Sequence, residues 1–410
     1  MNSRPFPLLG VWSLSVATFA FVYFVWTPWD VPVRALGDAW TVLAVGVAAG
    51  ALAAIAPYAL VAPSVGSEGR RINLVVTWLI VSLVVALATH GGLLGPRDYT
   101  GNFPFRFLVV IAALAAGHRL GATGFVTPRM AKLVGSSVVL MVGGMMAYAL
   151  ALGVVANNYA TQGVNPVGTA SGDAVQAYLL AYAAPLVFYF RTGWIRSSLY
   201  LLAVGAVALT FRRGPLVCVL APIALLPFFD KRRSSGRRWQ LDIALFAAAA
   251  FVAVSFIGFD RVFARWIALV QGEAWALSER DLIYPILGSQ LMGLDFELMF
   301  GHGVGSTVQF LNAGLGRPIF AHNDWLEVAT SFGLFGLAAF VLLHTVLVRG
   351  VYGALRVDRY TGLVALALYL QFAMSNWIEG LLYAAQHGAL LMFFLGASLG
   401  STIHARERSR

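Results

Sequence analysis

Cysteine, lysine and charged residues in general are scarce in this sequence. A single cysteine, Cys218, occurs in 410 residues, which excludes a disulfide framework and a cysteine-based metal cluster. Charged residues make up 11% of the chain, whereas soluble proteins carry roughly 25%, and 59% of the residues are hydrophobic. This composition excludes a soluble globular enzyme, a disordered chain and a fibrous repeat. It predicts that most of the backbone lies in lipid and is helical.

Long apolar runs occupy most of the sequence. A membrane-spanning helix needs about 20 mostly apolar residues, and about twelve such segments occur. We therefore predict an all-α polytopic membrane protein with one long periplasmic loop that contains short helices. Residues 1–258 would hold the first nine helices, 259–325 the loop, and 326–410 the last three helices and a cytoplasmic tail. The predicted spans lie near 8–26, 39–62, 73–95, 104–117, 133–155, 174–190, 195–211, 214–229, 241–258, 326–348, 360–377 and 383–401.

Basic residues are unevenly distributed between the predicted connections. With the N-terminus inside the cell, nineteen of the 28 lie in inner segments, including the dense run 231–238. This pattern predicts that both termini are cytoplasmic. It also explains most of the net charge of +10 as a topology signal, with no need for a nucleic-acid partner. The remaining basic residues are outer arginines: Arg34, Arg97, Arg106, Arg212, Arg213, Arg261, Arg265, Arg280 and Arg317.

Arg212 and Arg213 lie in a predicted outer turn with almost no other polar residues. They either extend to headgroup phosphates or form an anion site at the outer membrane face. We favour the anion site, because two adjacent arginines on the unexpected side are costly. No outer loop holds an Asp-x-Asp pair of the kind that clamps a metal on a diphosphate, and Asp295-x-Glu297 would diverge on a helix. Arginine forks are the alternative way to hold phosphate without a metal.

The connection 259–325 is the one large polar feature, and a loop of this length in a compact domain is usually functional. Helical spacing is predicted from Asp260 to Ile267 and from Glu279 to Met299, with Arg280 near the start of the second segment. The glycines of Gly301-x-Gly303-x-Gly305 follow no predicted strand, so a dinucleotide-binding fingerprint is not indicated. They predict a close turn that lets backbone approach another segment.

His322-Asn323-Asp324 closes the loop and leads into the tenth predicted span. A histidine can exchange a proton near neutral pH, so His322 could take one from a hydroxyl. Asn323 offers both donors and an acceptor, and Asp324 could cap the helix as well as orient its neighbours. From these residues alone, a catalytic or ligand-orienting histidine and a plain capped helix start are both open.

Together these motifs resemble the O-antigen ligase and O-antigen polymerase superfamily. An outer turn, Phe211-Arg212-Arg213-Gly214, is similar to the Ser-Arg-Gly turn of that family, although Arg212 stands in place of the serine. The resemblance covers roughly residues 195–400. The other matching residues are Arg280, Gly301-His302-Gly303-Val304-Gly305, His322-Asn323-Asp324-Trp325-Leu326-Glu327 and Gly333-Leu334-Phe335-Gly336.

The resemblance implies a metal-independent glycosyltransferase of the bacterial inner membrane, without a cofactor and with its active site facing the periplasm. Its donor would be an undecaprenyl-diphosphate-linked oligosaccharide. A polymerase would pass the glycan to a second lipid-linked repeat, and a ligase to lipid A–core. The polymerase is favoured, because the segment from His322 to Glu327 looks more like the polymerase versions. Membrane lipids and a chain-length regulator are further candidate partners.

The resemblance also implies roles for individual residues. His322, Arg280 and Arg213 are predicted to be catalytic, and Arg212, Arg265, Asn323 and Asp324 to bind substrate. The arginines would hold the lipid diphosphate and stabilise its growing charge, while His322 would deprotonate or orient the acceptor hydroxyl in an inverting displacement. A transporter or lipid flippase is the alternative from another class. It is less favoured, because we find no pair of related halves and the ionisable residues gather at the outer face.

Overall fold

Every regular element that the structure describes is a helix. The computed structural model describes residues 66–90, 94, 103–151, 172–190, 193–209, 213–225, 280–291, 296–378, 380–382 and 385–408. Two 3-10 helices, Ala184–Tyr189 and Ala221–Leu225, directly follow α-helices that end at Ala183 and Leu220. The α-helices of these ranges are α1 (Gly66–Thr89), α2 (Phe103–Ala122), α3 (Pro128–Ala151), α4 (Gly172–Ala183), α5 (Gly193–Leu209), α6 (Arg213–Leu220), α7 (Arg280–Gln290), α8 (Phe296–Phe300), α9 (Ser306–Leu315), α10 (Asp324–Val357), α11 (Arg359–Ile378) and α12 (Ala385–Arg408).

Four of the described helices are long and apolar enough to cross a membrane, namely most of α1 and α12 and all of α10 and α11. Two shorter apolar helices cover Ala177–Tyr189 and Trp194–Val207. These helices indicate an all-α, membrane-embedded protein, in agreement with the composition. The full set of about twelve spans stays a prediction, since the predicted spans 8–26, 39–62 and 241–258 lie outside the described residues.

The tenth predicted span, 326–348, corresponds to α10, which is longer than predicted and is broken. Gly333 has φ 62° and ψ −161°, values that no helical residue adopts, so α10 consists of a short piece before Gly333 and a long piece after it. A helix needs about 20 residues to cross the apolar core of a bilayer. Only the piece from Leu334 to Val357 is long enough to do so alone. The piece before Gly333 is too short to span the bilayer.

Contacts along α1 define two distinct ends of the helical assembly. At one end, a Cβ added to Gly353 near the end of α10 would lie 2.9 Å from Glu68 Oε1 at the start of α1. At the other end, His90 Nε2 lies 2.9 Å from the Gly301 carbonyl oxygen. Gly301 in turn adjoins Gly333, where the long piece of α10 begins, so α1 and this piece of α10 run antiparallel. The described basic residues at the Glu68 end belong to the group predicted to be inside: Arg70, Arg71, Arg349 and Arg356.

Helices α2 and α12 pack through a reciprocal pair of glycine motifs. Gly117 and Gly121 on α2, and Gly396 and Gly400 on α12, each face the backbone of the other helix. An added Cβ at any of them would lie 2.0–2.2 Å from a backbone carbonyl oxygen of the partner helix. Small residues spaced four apart allow this close approach, which is a common mode of packing in membrane helices.

This packing makes a prediction about stability. Alanine is a better helix former than glycine by about 1 kcal/mol, so a glycine-to-alanine change is neutral or stabilising where there is room. At Gly205 nothing lies within 4 Å of an added Cβ, and Gly205→Ala is the matched control. Gly117→Ala should instead destabilise the fold by about 1–3 kcal/mol, because the new methyl group meets rigid backbone. Thermal unfolding in detergent would measure both, and equal midpoints for the two variants would contradict the packing.

Candidate functional site

The turn that follows α11 is where the predicted site segments meet. Helix α11 ends at Ile378, and Gly380, Leu381 and Leu382 are described beyond it. Gly380 has φ 79°, a left-handed conformation that glycine adopts without steric cost. We refer to Ile378, Gly380, Leu381 and Leu382 as the 378–382 turn.

Arg280 contacts this turn from the start of α7. Its Nη2 donates a hydrogen bond to the carbonyl oxygen of Ile378, and the side chain is partly exposed. Helix α7 is held by a small apolar cluster in which Ile283 and Leu287 pack with Leu311 of α9. Apolar packing within the long loop therefore fixes the position of Arg280.

His322 lies beside Gly380 in the same turn. A Cβ added to Gly380 would be 3.9 Å from the Cα of His322. Among the described residues, His322 is the only non-glycine residue with a positive φ, at 51°. Such a conformation costs about 1–3 kcal/mol and persists where surrounding structure enforces it, often at functional sites. The side chain is half-buried, so part of it faces the outside.

The side chains of Asn323 and Asp324 are both bonded to backbone amides. Asn323 is the N-cap of α10, and its Oδ1 accepts from the amides of Trp325 (2.9 Å) and Leu326 (3.2 Å). The cap is thus Asn323, and not Asp324 as the sequence pattern indicated. Asp324 is fully buried and accepts hydrogen bonds from two amides of the 378–382 turn. Asn323 Oδ1 and both carboxyl oxygens of Asp324 thus already accept from backbone amides. The substrate-binding roles of the two residues stay predictions.

Arg213 is the first residue of α6, and the glycine that follows it lies against the same turn. A Cβ added to Gly214 would lie 2.1 Å from the Tyr178 hydroxyl oxygen and 3.0 Å from Cγ2 of Ile378. A side chain at this position would displace the buried Tyr178 hydroxyl, so glycine allows the close approach. Through Gly214, the backbone next to Arg213 therefore adjoins Ile378, whose carbonyl oxygen accepts from Arg280. Arg212 and Arg265 lie outside the described residues.

The three residues predicted to be catalytic thus come from three separate segments that meet at one place. Arg213 adjoins Ile378 through Gly214, Arg280 is bonded to Ile378, and His322 lies beside Gly380. Their chemical roles stay predictions, but the meeting of the three segments at this turn is a finding of the structure.

The glycine turn 301–305 packs against the break in α10. A Cβ added to Gly333 would lie 2.4 Å from the backbone nitrogen of Gly301, and one added to Gly301 would lie 2.4 Å from that of Phe332. The predicted close approach of this turn to another backbone is confirmed, and its partner is the Gly333-Leu334-Phe335-Gly336 motif.

The break also explains how the turn is bonded. In a continuous helix the carbonyl groups of Thr330 and Ser331 would accept from amides four residues later, and the irregular backbone at Gly333 interrupts that pattern. The amides of His302 and Gly303 donate to these two carbonyls instead, at 2.8 and 3.2 Å. The carbonyl groups of Thr330 and Ser331 therefore keep hydrogen-bond donors despite the break.

The first half of the chain also contacts this turn. Beyond α1, His90 Nε2 lies within hydrogen-bond distance of the Gly301 carbonyl oxygen, and the amide of Leu94 donates to Val304 at 2.9 Å. No sequence pattern connected His90 or Leu94 with the glycine turn. His90 is a hydrogen-bonded packing residue, the role that isolated histidines near predicted spans most often have.

The helix predicted from Glu279 to Met299 is divided in the structure. Helix α7 ends at Gln290, and α8 begins at Phe296. Gly293, a poor helix former, lies in the intervening sequence. The helical start predicted at Asp260 lies outside the described residues, as does Asp295.

Glu327 is a second buried acid in the short piece of α10. Its Oε1 accepts a hydrogen bond of 2.7 Å from the hydroxyl of Thr307 in α9, so it ties the loop to α10. Within the described ranges, no group of three or more histidine, cysteine or acidic residues is placed to hold a metal ion.

Comparisons with known proteins do not assign the chain. No family model matches the sequence, and no curated protein matches it. The functional interpretation therefore depends on the motifs and on the geometry in which the structure brings them together.

Proposed function

We propose that this protein is a periplasm-facing, metal-independent glycosyltransferase, and that it is a polymerase of polysaccharide repeat units. It would move a glycan from an undecaprenyl-diphosphate-linked donor to an acceptor hydroxyl. The observation that supports this proposal is the meeting of the Arg213, Arg280 and His322 segments at the 378–382 turn. Two guanidinium-bearing segments beside a histidine are suited to a reaction that releases a diphosphate and deprotonates a hydroxyl.

The position of the turn fits a lipid-linked substrate. It follows α11, one of the helices long and apolar enough to cross a membrane. A diphosphate attached to a polyprenyl chain places its charge at the membrane surface, where a helix end lies. Arg212 and Arg265 are proposed to extend the anion site. The proposed setting is the bacterial inner membrane. The end of the helices that holds Glu68 and its basic neighbours would lie in the cytoplasm, together with both termini.

The proposed chemistry is an inverting displacement at the anomeric carbon. The acceptor oxygen forms a bond to that carbon as the bond to the diphosphate oxygen breaks. His322 accepts the proton of the acceptor hydroxyl, and the lipid diphosphate leaves with the bonding electrons. Arg213 and Arg280 would stabilise the charge that develops on the leaving group. We also propose, from the resemblance of its motifs, that the chain belongs to the O-antigen ligase and polymerase superfamily.

Cells that lack this protein would test the proposal directly. Loss of a polymerase leaves single repeat units on the lipid core, which run as one short band on a gel of surface glycans. Loss of a ligase would instead leave long chains on the undecaprenyl carrier. We expect the first pattern, restored by the intact gene. An unchanged glycan profile would contradict the proposed function.

A further inference from the structure

Asp324 has no exposed surface, and it is bonded to the buried part of the 378–382 turn. Its Oδ2 accepts from the Leu381 amide at 2.7 Å, and its two oxygens lie 3.2 and 3.3 Å from the Leu382 amide nitrogen. Burying a carboxyl group is costly unless hydrogen bonds compensate for the lost water, and here backbone amides supply them. A side chain enclosed in this way is placed to hold the backbone that surrounds it.

We propose that Asp324 is a positioning residue for glycan transfer, which anchors the 378–382 turn and thereby fixes Arg280 relative to His322. The inference rests on the proposed function. Its links are the hydrogen bonds from Leu381 and Leu382 to Asp324 and the bond from Arg280 to Ile378.

Through Asp324, the His322 side and the Arg280 side of the site are both connected to the first turn of α10. His322 precedes Asp324 by two residues, and the Asn323 cap fixes the start of the helix between them. The 378–382 turn carries the acceptor of Arg280 at one end and the donors to Asp324 at the other. Removing the anchor would leave the buried Leu381 and Leu382 amides without a full set of acceptors and would allow the turn to shift. A misplacement of 1 Å at a reacting group can cost about 10²-fold in rate.

Asp324→Asn is the matched substitution, because it keeps the shape of the side chain and removes one of the two acceptor oxygens. The control is Glu327→Gln. Glu327 is buried in the same piece of α10, but its hydrogen bond is to Thr307 in α9. Both substitutions replace a buried carboxyl group by an amide, and only one of them affects the turn.

The experiment uses the full-length protein in lipid nanodiscs with an undecaprenyl-diphosphate-linked repeat unit as donor and acceptor. We expect Asp324→Asn to lower the transfer rate at saturating substrate by about tenfold or more. Hydrogen exchange, read by mass spectrometry, should become faster in peptides that contain Leu381 and Leu382. Glu327→Gln should change transfer by less than about twofold and leave exchange in these peptides unaltered.

The two readouts separate the inference from the proposed function. If the wild-type protein transfers no glycan, the proposed function fails, while exchange still reports whether Asp324 anchors the turn. Faster exchange with wild-type transfer in Asp324→Asn would overturn the positioning role. Equal losses in both variants would overturn it too, since they would show a general effect of removing a buried carboxyl group.

A second variant keeps the test decisive if Asp324→Asn is not recovered in folded form. Asp324→Glu retains both acceptor oxygens and lengthens the side chain by one methylene, so it should keep the turn bonded but displaced. We expect slow exchange of the Leu381 and Leu382 amides together with reduced transfer. Wild-type transfer by this variant would overturn the inference.

Discussion

Replacing His322 by alanine should abolish glycan transfer while the protein stays in the membrane. General base catalysis contributes about 10²–10⁴-fold to a rate, and we expect a loss in that range for purified His322→Ala. Binding of undecaprenyl diphosphate alone should be retained, because the arginines and not the histidine are proposed to hold it. The measurement is release of undecaprenyl diphosphate from a lipid-linked repeat unit, set beside binding of the free lipid.

The left-handed backbone at His322 calls for a second substitution. Alanine at φ 51° is strained, so His322→Ala could lose activity through a shift of the backbone alone. Asparagine adopts this conformation more readily than most residues and cannot act as a base near neutral pH. His322→Asn should therefore match the wild type in thermal stability and match His322→Ala in inactivity. Normal transfer by the asparagine variant would remove His322 from the mechanism.

The sequence predicted the features that depend on residues close together in the chain. Apolar runs indicated the long helices α1, α10, α11 and α12, since length and composition decide whether a segment can cross a membrane. Glycine spacing indicated the close turn at residues 301–305, because glycine without a Cβ allows backbone to meet backbone. Both predictions follow from local chemistry.

The 378–382 turn could not be predicted in the same way. The turn binds Arg280 and Asp324 through backbone atoms, namely the carbonyl of Ile378 and the amides of Leu381 and Leu382. Every residue type except proline carries these groups, so an apolar side chain gives no sign of what its backbone binds. The sequence offered only Gly380 and Asp324 as signals. That the two lie together is decided by the tertiary fold.

The break in α10 was missed for a related reason. Gly333 lies within an apolar run, and glycine is frequent in membrane helices, so the sequence predicted an unbroken span. The break becomes understandable once the backbone of Gly301 is placed against Gly333, since the turn supplies amides to the carbonyls of the interrupted helix. His90 adds a contact from the first half of the chain. The glycine turn thus also contacts a region outside residues 195–400, which carry the resemblance.

Arg280→Ala should weaken both donor binding and transfer. A hydrogen bond to a charged group is worth about 1.5–3 kcal/mol, so removal of the guanidinium should lower affinity for undecaprenyl diphosphate by about 10–100-fold. Transfer should fall further, because the charge on the diphosphate grows as the sugar–phosphate bond breaks. Arg280→Lys should restore only part of the loss, since lysine is a point charge without the planar fork that pairs with phosphate.

Arg317 provides the matched control for this experiment. It is an exposed arginine of the same loop, and it lies beyond α9, whereas Arg280 contacts the 378–382 turn. Arg317→Ala removes the same charge from the same loop, so any general electrostatic attraction of the lipid should weaken equally in both variants. We expect a large loss of donor affinity for Arg280→Ala and a small one for Arg317→Ala, measured by lipid binding in detergent at two salt concentrations. Unchanged affinity in both Arg280→Ala and Arg213→Ala would exclude the arginine site, and with it the proposed way of holding the leaving group.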